Sequence, residues 1–337
     1  MLALGPAAAV GGAAKPSRRG VSNLPPPTLR IDSMREFELL QHIYSTAGAP
    51  SQRVLLPPGD DMAMVSLTGR AMLVAVDQVV DGQHVDLSTT PIELVGRKAV
   101  TRSLSDVAAM AAIPFAALAA ATLPRDFGQQ RATALFDAMR ETADRYRCSI
   151  VGGDIAVHLK ESSPLVCSVM VLAEPGPVPP VTRSGARVGD AVYVTGRLGG
   201  SLGPDGLGRH LTFEPRLDEA LQLGRALGQR LHAMIDISDG LGRDASHLAQ
   251  RSGVQIRIDA NRIPCHPGLD WRVAMSAGED YELCFTADGD VPHRLGELPV
   301  TLVGEVMQPA GPHVPLVLVR DGPQTFDGSQ MGWEHRS

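Results

Sequence analysis

The chain has only four cysteines in 337 residues: Cys148, Cys167, Cys265 and Cys284, no two closer than 19 positions. That spacing excludes a CxxC redox motif and paired zinc thiolates. Four free thiols in a reducing cytoplasm is the simplest state, although sequence alone leaves a disulfide pair open. Aromatic residues are scarce: seven Phe, four Tyr and two Trp. No apolar run reaches the roughly 18 residues of a membrane-spanning helix. There is no basic excess either: 31 Lys and Arg stand against 37 Asp and Glu, a net charge of −6. This argues against a general nucleic-acid binder. It does not exclude a phosphate-bearing ligand, because acidic sites hold phosphates through metal ions. The sequence contains no GxxxxGK[ST] and no HExxH, so neither a P-loop nor a zincin site is expected.

At 44% hydrophobic residues the chain is too apolar for disorder and long enough for two cores. Residues 1–30, rich in Ala, Gly and Pro, read as a disordered extension or a start assigned too early. Ser33-Met-Arg-Glu36 fits a capping box, followed by Phe37, Leu40 and Ile43 at helical spacing. Strands are expected at Met72–Val76, Ala116–Leu123, Cys148–Val151 and Leu165–Leu172. Helices are expected at Ile92–Ala112, with Pro91 as the first helical position, and at Gln129–Arg147. The Pro-rich stretch 175–180 breaks this pattern and divides an N-terminal domain, 31–175, from a C-terminal one, 181–337. Beyond it come strands at Ala191–Thr195, Ala233–Ile237, Val254–Ile258, Tyr281–Phe285, Val300–Val306 and Leu316–Val319. Helices fall near Leu217–Leu227 and Gly240–Ser252. Strands alternate with helices in both halves, so the expected class is α/β (α+β): two domains of mixed sheets with packed helices.

The informative residues are acids in glycine-containing turns: Gly59-Asp60-Asp61, Val76-Asp77, Gly152-Gly153-Asp154, Asp236-Ile-Ser-Asp239-Gly240 and Gly278-Glu279-Asp280. Asp106 joins them from the long helix. Singly, each has a bland reading: Asp61 as a turn residue, Asp239 as a helix cap, Asp106 as the partner of Arg102 one turn earlier. Together they describe carboxylates that would repel one another unless cations bind between them, and hard oxygen donors suit Mg²⁺ over zinc. The segment from Asp236 also resembles the start of an EF-hand loop, but its twelfth residue is His247, not Glu. One GxSxG stands at Gly199–Gly203. It is separated from its strand by Gly196-Arg-Leu198 and followed by Pro204-Asp-Gly206, the wrong setting for a nucleophile elbow.

These stretches occur in an order that resembles the thiamine-monophosphate kinase family, of the aminoimidazole ribonucleotide synthetase-like ATP-binding superfamily. They are Gly59–Ala63, Asp77 through Gly82-Gln-His84, Lys98 through Met110, Val151–Asp154, Thr182–Ala186 with Gly189-Asp190, and Val192–Gly196. Ile235–Leu241, Gly278–Phe285 and Gly332-Trp333 complete the set, which spans about residues 33–335. The resemblance implies ATP-dependent phosphorylation of thiamine monophosphate to thiamine diphosphate in the cytoplasm, with several Mg²⁺ ions. It implies Asp61, Asp77, Asp106, Asp154, Asp236 and Asp239 as metal ligands. Gly153, Asp154, Arg183 and Ser238 would bind ATP, and His84, Glu279 and Trp333 the thiamine phosphate. The family is a homodimer whose N-terminal domains pair, with the nucleotide near the interface. No nucleic-acid or membrane partner is implied.

The chain departs from the family's pattern in three places. Ala75-Val76 stands where the family has hydroxyl residues, leaving only the Val76 carbonyl as a donor. Ala277 replaces the first glycine of Gly-Gly-Glu-Asp, and Pro57-Pro58 precedes the first acidic motif. Another ATP-using enzyme of the superfamily and a non-catalytic nucleotide-binding relative are therefore the rival readings. A serine hydrolase is disfavoured. Nine acids lie in the motifs named, and without them 31 basic residues face 28 acidic ones. The negative charge belongs to the motifs.

Overall fold

The computed structural model describes residues 72–311 and 314–333, with residues 42, 45–46, 52–56 and 64–65. The expected extension over 1–30 and the Asp60-Asp61 turn lie outside the described residues. So does most of the helix expected after Ser33, of which residues 42, 45 and 46 are described and helical.

Two short strands, β1 (Val54–Leu56) and β2 (Met64–Val65), pair antiparallel. The first full sheet has the order β3–β6–β4–β5, from β3 (Leu73–Val80), β4 (Ala112–Leu123), β5 (Ser149–Val157) and β6 (Val166–Pro175). Helix α1 (Ile92–Ala109) precedes β4. β4 and β5 are parallel, and helix α2 (Gln129–Arg145) supplies the crossover such a pair needs. Pro91 sits just before α1 rather than in its first turn. The helix stops at Ala109 because Ala111 adopts φ 50, which frees Ala112 to pair with Pro175.

The second sheet runs β14–β13–β9–β12–β7–β10–β8. Its strands are β7 (Ala191–Thr195), β8 (Leu231–Asp236), β9 (Gln255–Asp259), β10 (Leu283–Ala287), β12 (Leu298–Met307), β13 (Val317–Asp321) and β14 (Gln324–Asp327). The short β11 (Arg294–Leu295) pairs with β12. Three helices accompany it: α3 (Leu217–Leu227), α4 (Leu241–Ser252) and α5 (Trp271–Ser276). The single-turn α5 escapes a search for long periodicity. Its cap is Asp270, whose carboxylate accepts from the N–H of Arg272 and Val273. No helix among the described residues is long and apolar enough to cross a membrane.

The expected class holds: two domains, mixed sheets, helices packed on them. Two motifs sit differently from expectation. Gly152-Gly153-Asp154 is inside β5 rather than in a turn beyond it, and Asp77 is inside β3 rather than at its end. An ideal Cβ on Gly153 would lie 1.7 Å from the Ala119 carbonyl oxygen, so the close approach of β4 and β5 demands glycine there.

One core spans both domains. Val95, Val100 and Leu104 of α1 belong to the same buried cluster as Val169 and Val171 of β6. It continues into Leu223 of α3 and Met234 and Phe285 of the second sheet. The opposite face of that sheet is closed by α4 and α5, with Ile235, Ile256, Leu241, Leu248 and Met275 fully buried. Helix α1 is therefore enclosed from several sides, which explains why it lacks a wide polar face. Against α2 it comes closest at Gly96, where an added Cβ would lie 2.6 Å from the Leu135 carbonyl. Gly96→Val is expected to cost about 1–3 kcal/mol by overpacking, read as a lower urea midpoint. An unchanged midpoint would show that the helices separate freely.

Candidate active site

Backbone hydrogen bonds tie three loops of the second domain together. The N–H of Glu279 donates to Ser238 O at 2.7 Å, that of Tyr281 to Ile237 O at 2.7 Å, and that of Trp333 to Asp239 O at 2.8 Å. Asp244, in the first turn of α4, accepts from the N–H groups of Ser238, Asp239 and Gly240 at 3.0–3.1 Å. It caps the helix from within and fixes the turn carrying the acids. Gly240 has φ 111, and a side chain there would press on Met275 and Ser276. Asp239, Glu279 and Trp333, far apart in sequence, are thereby held as neighbours.

The first domain brings its carboxylates to the same place. Ser105 of α1 donates through Oγ to Asp236 Oδ2 at 2.7 Å, across the domain boundary. Burial raises the Asp236 carboxyl above its ordinary range; the Ser105 bond opposes this and the Asp77 charge adds to it. Asp106 is pushed up to about 8, first by burial, then by the charges of Asp236 and Asp77, against Arg183 and Arg102. Asp77 is raised too, by burial, with Arg102 opposing and Glu279 and Asp239 adding. Arg102 does not serve as the local i,i+4 partner of Asp106; its ion pair is with Asp77, at 3.6 Å. Its Nε and Nη1 are buried with no hydrogen-bond partner among the described residues. Arg183 is felt by Asp106, Asp236 and His247, and its loop is pinned where Ser252 Oγ donates to the Arg183 carbonyl at 3.1 Å. Lys98 of α1 is wholly buried and pairs with Glu279 at 2.5 Å. Burial alone would raise Glu279, but the adjoining Lys98 ammonium and the Arg102 charge outweigh it and hold the carboxyl at about 2.

Of the residues singled out in the sequence, the structure brings together Asp77, Asp106, Asp236, Asp239, Ser238, Arg183, Glu279 and Trp333. His84 joins them through its carbonyl, which accepts from Lys98 at 2.8 Å. Gly153 and Asp154 stand apart. Across the first sheet Asp77 is in register with Val169, Ala119 and Gly153, whereas Asp154 is one step on, in the row of Gln78, Ser168 and Ala120. Successive strand residues point to opposite faces, so the Asp154 side chain is directed away from the face that carries Asp77. Asp61 lies outside the described residues.

The GxSxG serine is not a nucleophile. Ser201 is buried, donates to Asp280 Oδ1 at 2.5 Å and accepts from Arg209 at 2.8 Å. Asp280 also accepts from Gly199 N–H at 2.8 Å, so its carboxylate anchors the glycine-rich loop. The cysteines are free, and burial pushes the Cys148 and Cys167 thiols up to about 12.

Sequence reasoning passed over Lys98, Arg102 and Ser105 as functional residues, yet a signal existed. With Asp106 they recur at positions i, i+4, i+7 and i+8 of the helix, one polar stripe along it. His210 and Asp244 gave no comparable signal, because their partners are remote or lie in the backbone.

Comparison with known proteins places these features. The family model of the AIR synthase related protein N-terminal domain matches residues 59–174, and that of the C-terminal domain residues 187–310. Thiamine-monophosphate kinase of Aquifex aeolicus is 31% identical over 333 residues, 91% of this chain and 100% of the relative. A crystal structure of thiamine-monophosphate kinase from Stenotrophomonas maltophilia is 29% identical with a TM-score of 0.69, covering 85% of this chain and 97% of that one. A structure described as AaThiL complexed with AMPPCP and TMP is 30% identical with a TM-score of 0.64, covering 86% and 96%.

The raised Asp106 carboxyl makes the ion-free protein pH-sensitive. Between about pH 4 and 8 the folded state holds a proton there that the unfolded chain has released. Stability therefore falls as pH rises through this window. In EDTA, Asp106→Asn is expected to raise the melting temperature at pH 8 and to change it little at pH 4. An equal effect at both pH values would place Asp106 outside the charge cluster. A serine-directed phosphonate is expected to leave Ser201 unlabelled, and labelling would revive the hydrolase.

Proposed function

The chain belongs to the thiamine-monophosphate kinase family of AIR synthase related proteins, and on that premise we propose that it phosphorylates thiamine monophosphate to thiamine diphosphate with ATP. One observation carries the reading beyond the resemblance. Asp77 from a strand, Asp106 from a helix and Asp236 from the other domain converge in a partly buried place, where burial first and then the Asp236 and Asp77 charges lift Asp106 to about 8. Such a cluster is stable in its ionised form only with cations present.

The donor set fits Mg²⁺: all carboxylate oxygens, no sulfur, and no imidazole among the three. Asp77, Asp106, Asp236 and Asp239 would hold the ions; Asp154, on the opposite face of the first sheet, would reach a metal or nucleotide only across the dimer interface proposed below, and Asp61 lies outside the described residues. Bound there, Mg²⁺ would neutralise the phosphate charges that keep donor and acceptor apart. The chain's own residues do the rest. Arg183 presents a planar fork to the nucleotide phosphates, and the unpartnered Nε and Nη1 of Arg102 offer phosphate oxygens further N–H groups within the cluster. Ser238, fixed through Asp244, contributes at the ATP side. Glu279, held ionised at about 2, faces the positive charge of the thiamine moiety. Trp333 offers it a flat ring, and His84 contributes at the acceptor phosphate. That phosphate oxygen is ionised near neutral pH, so the transfer needs no strong general base.

The working unit we propose is a homodimer joined through the first sheet. Its outer face carries Val74 and Val76, each more than half exposed, alongside Met170 and Leu118, an apolar strip beyond what an isolated sheet face needs. Gly153 and Asp154, on the edge strand β5, would then meet nucleotide near the subunit interface. Val76, where the family has a hydroxyl, belongs to this outer strip. The prolines at 175–180 are the division between the domains on this reading. Four free thiols, three of them buried, accord with a cytoplasmic setting.

Purified protein with Mg-ATP and thiamine monophosphate is expected to yield thiamine diphosphate and ADP, and EDTA to abolish the product. Absence of product across a range of Mg²⁺ concentrations would overturn the kinase reading and favour a non-catalytic relative. Asp106→Asn is expected to lower turnover by at least about 100-fold, as loss of charge stabilisation of this kind does. Unchanged turnover would remove Asp106 from the site.

A further inference from the structure

Lys98 is among the largest side chains of the described residues with no solvent exposure at all. A buried ammonium is costly unless every proton finds an acceptor. Here all three do. Nζ donates to Glu279 Oε2 at 2.5 Å, to the His84 carbonyl oxygen at 2.8 Å and to His210 Nδ1 at 2.7 Å. An ammonium has only protons to give, so His210 Nδ1 is the acceptor. Its Nε2 then carries the proton and donates to the Gly206 carbonyl at 3.1 Å. The ring is thus held as the neutral Nε2–H tautomer by a lysine on one side and a backbone carbonyl on the other.

The three acceptors come from different parts of the chain. His84 lies in the loop after β3, whose ring is set by the Val80 N–H donating to its Nδ1 at 3.0 Å. His210 lies in the single-turn helix Arg209–Leu211 of the second domain. Glu279 lies in the loop before β10, in left-handed backbone with φ 66, where a non-glycine residue is strained. Tyr281, also left-handed at φ 51, donates its hydroxyl to Glu279 Oε2 at 3.1 Å, and its ring stacks on Phe213 with centroids 3.9 Å apart. Strained backbone, a tyrosine hydroxyl and a buried ammonium all act on one carboxylate. A group with no task beyond packing needs no such convergence.

We infer that Lys98 is the positioning residue of the acceptor half of the site: it fixes Glu279 and His84, one from each domain, at a set separation for the thiamine phosphate. This rests on the reading of those two residues as acceptor-binding. Lys98 touches neither substrate; its effect passes through the residues it holds. Losing it leaves Glu279 half-held on a strained turn and unties His84 from the second domain, while Arg183 and Ser238 keep their own supports, Ser252 and Asp244. The consequence is therefore one-sided, falling on thiamine monophosphate and not on ATP.

The test is steady-state kinetics on full-length Lys98→Ala and Lys98→Met, with the fold monitored by near-ultraviolet circular dichroism and Glu279→Gln assayed in parallel. The KM for thiamine monophosphate is expected to rise by about 30-fold or more in both Lys98 variants, in line with a charged hydrogen bond lost. The KM for ATP is expected to stay within about twofold of the wild type. Methylammonium is expected to restore part of the acceptor affinity in Lys98→Ala, where it has room to enter, and none in Lys98→Met, where the thioether fills the space. Equal losses for both substrates, no rescue, or failure of both variants to fold would assign Lys98 to the fold and overturn the inference. If Glu279→Gln itself leaves the KM for thiamine monophosphate unchanged, the acceptor-site reading fails instead. If Glu279→Gln raises it and the Lys98 variants do not, the lysine alone is misassigned.

Discussion

The hydrogen bond from Ser105 to Asp236 crosses the domain boundary at the point where like charges are densest. Asp236 is buried and Asp106 partly so, and each raises the energy of the other in its ionised form. Left to electrostatics, the two domains would part there. They are held by the apolar side of the same helix. Val95, Val100 and Leu104 of α1 are sealed into a core that runs from the first sheet to Leu223, Met234 and Phe285 of the second domain. Burying each such side chain is worth about 1.5–3 kcal/mol, enough in sum to impose the approach of several carboxylates. Hydrophobic packing thus sets up a charge arrangement that a cation and its phosphates can relax.

Helix α1 carries two messages on one element. Its apolar positions specify where it lies, and its polar stripe specifies what it does there: Lys98 toward Glu279 and His210, Arg102 toward Asp77, Ser105 toward Asp236, Asp106 into the acidic cluster. The stripe also divides the proposed site. Its Lys98 end belongs with the residues assigned to the thiamine phosphate, and its Asp106 end with those assigned to metal and nucleotide. Rigid elements hold both ends, because a helix turn fixes the separation of its side chains more tightly than a loop does.

Much of this was legible in order along the chain. The main strands and the four longer helices follow apolar periodicity, and the acidic motifs stood out because acids beside glycines at element ends are recognisable as a set. Two were misplaced, with a common cause. Asp77 and Gly152-Gly153-Asp154 interrupt apolar runs, so they read as strand ends, yet pairing with β6 and β4 carries each strand through them. Single residues with positive φ, such as Ala111, decided where helices stopped. The tiny elements α5 and β11 lack the length for any period to register.

The sequence by itself determined the chemistry available: which carboxylates, which arginine and lysine, and the apolar spacing that buries a helix between two sheets. Tertiary structure alone decided which of them meet. Glu279, Asp239 and Trp333 become neighbours only through backbone bonds between three loops. Lys98 becomes a three-way tie only once His84 and His210 arrive from different domains. Asp77 and Asp154 fall on opposite faces of one sheet, a difference of a single residue in register. Periodicity is a local property and survives in a string of residues. Register, burial and the repulsion between acids depend on distances the string does not contain.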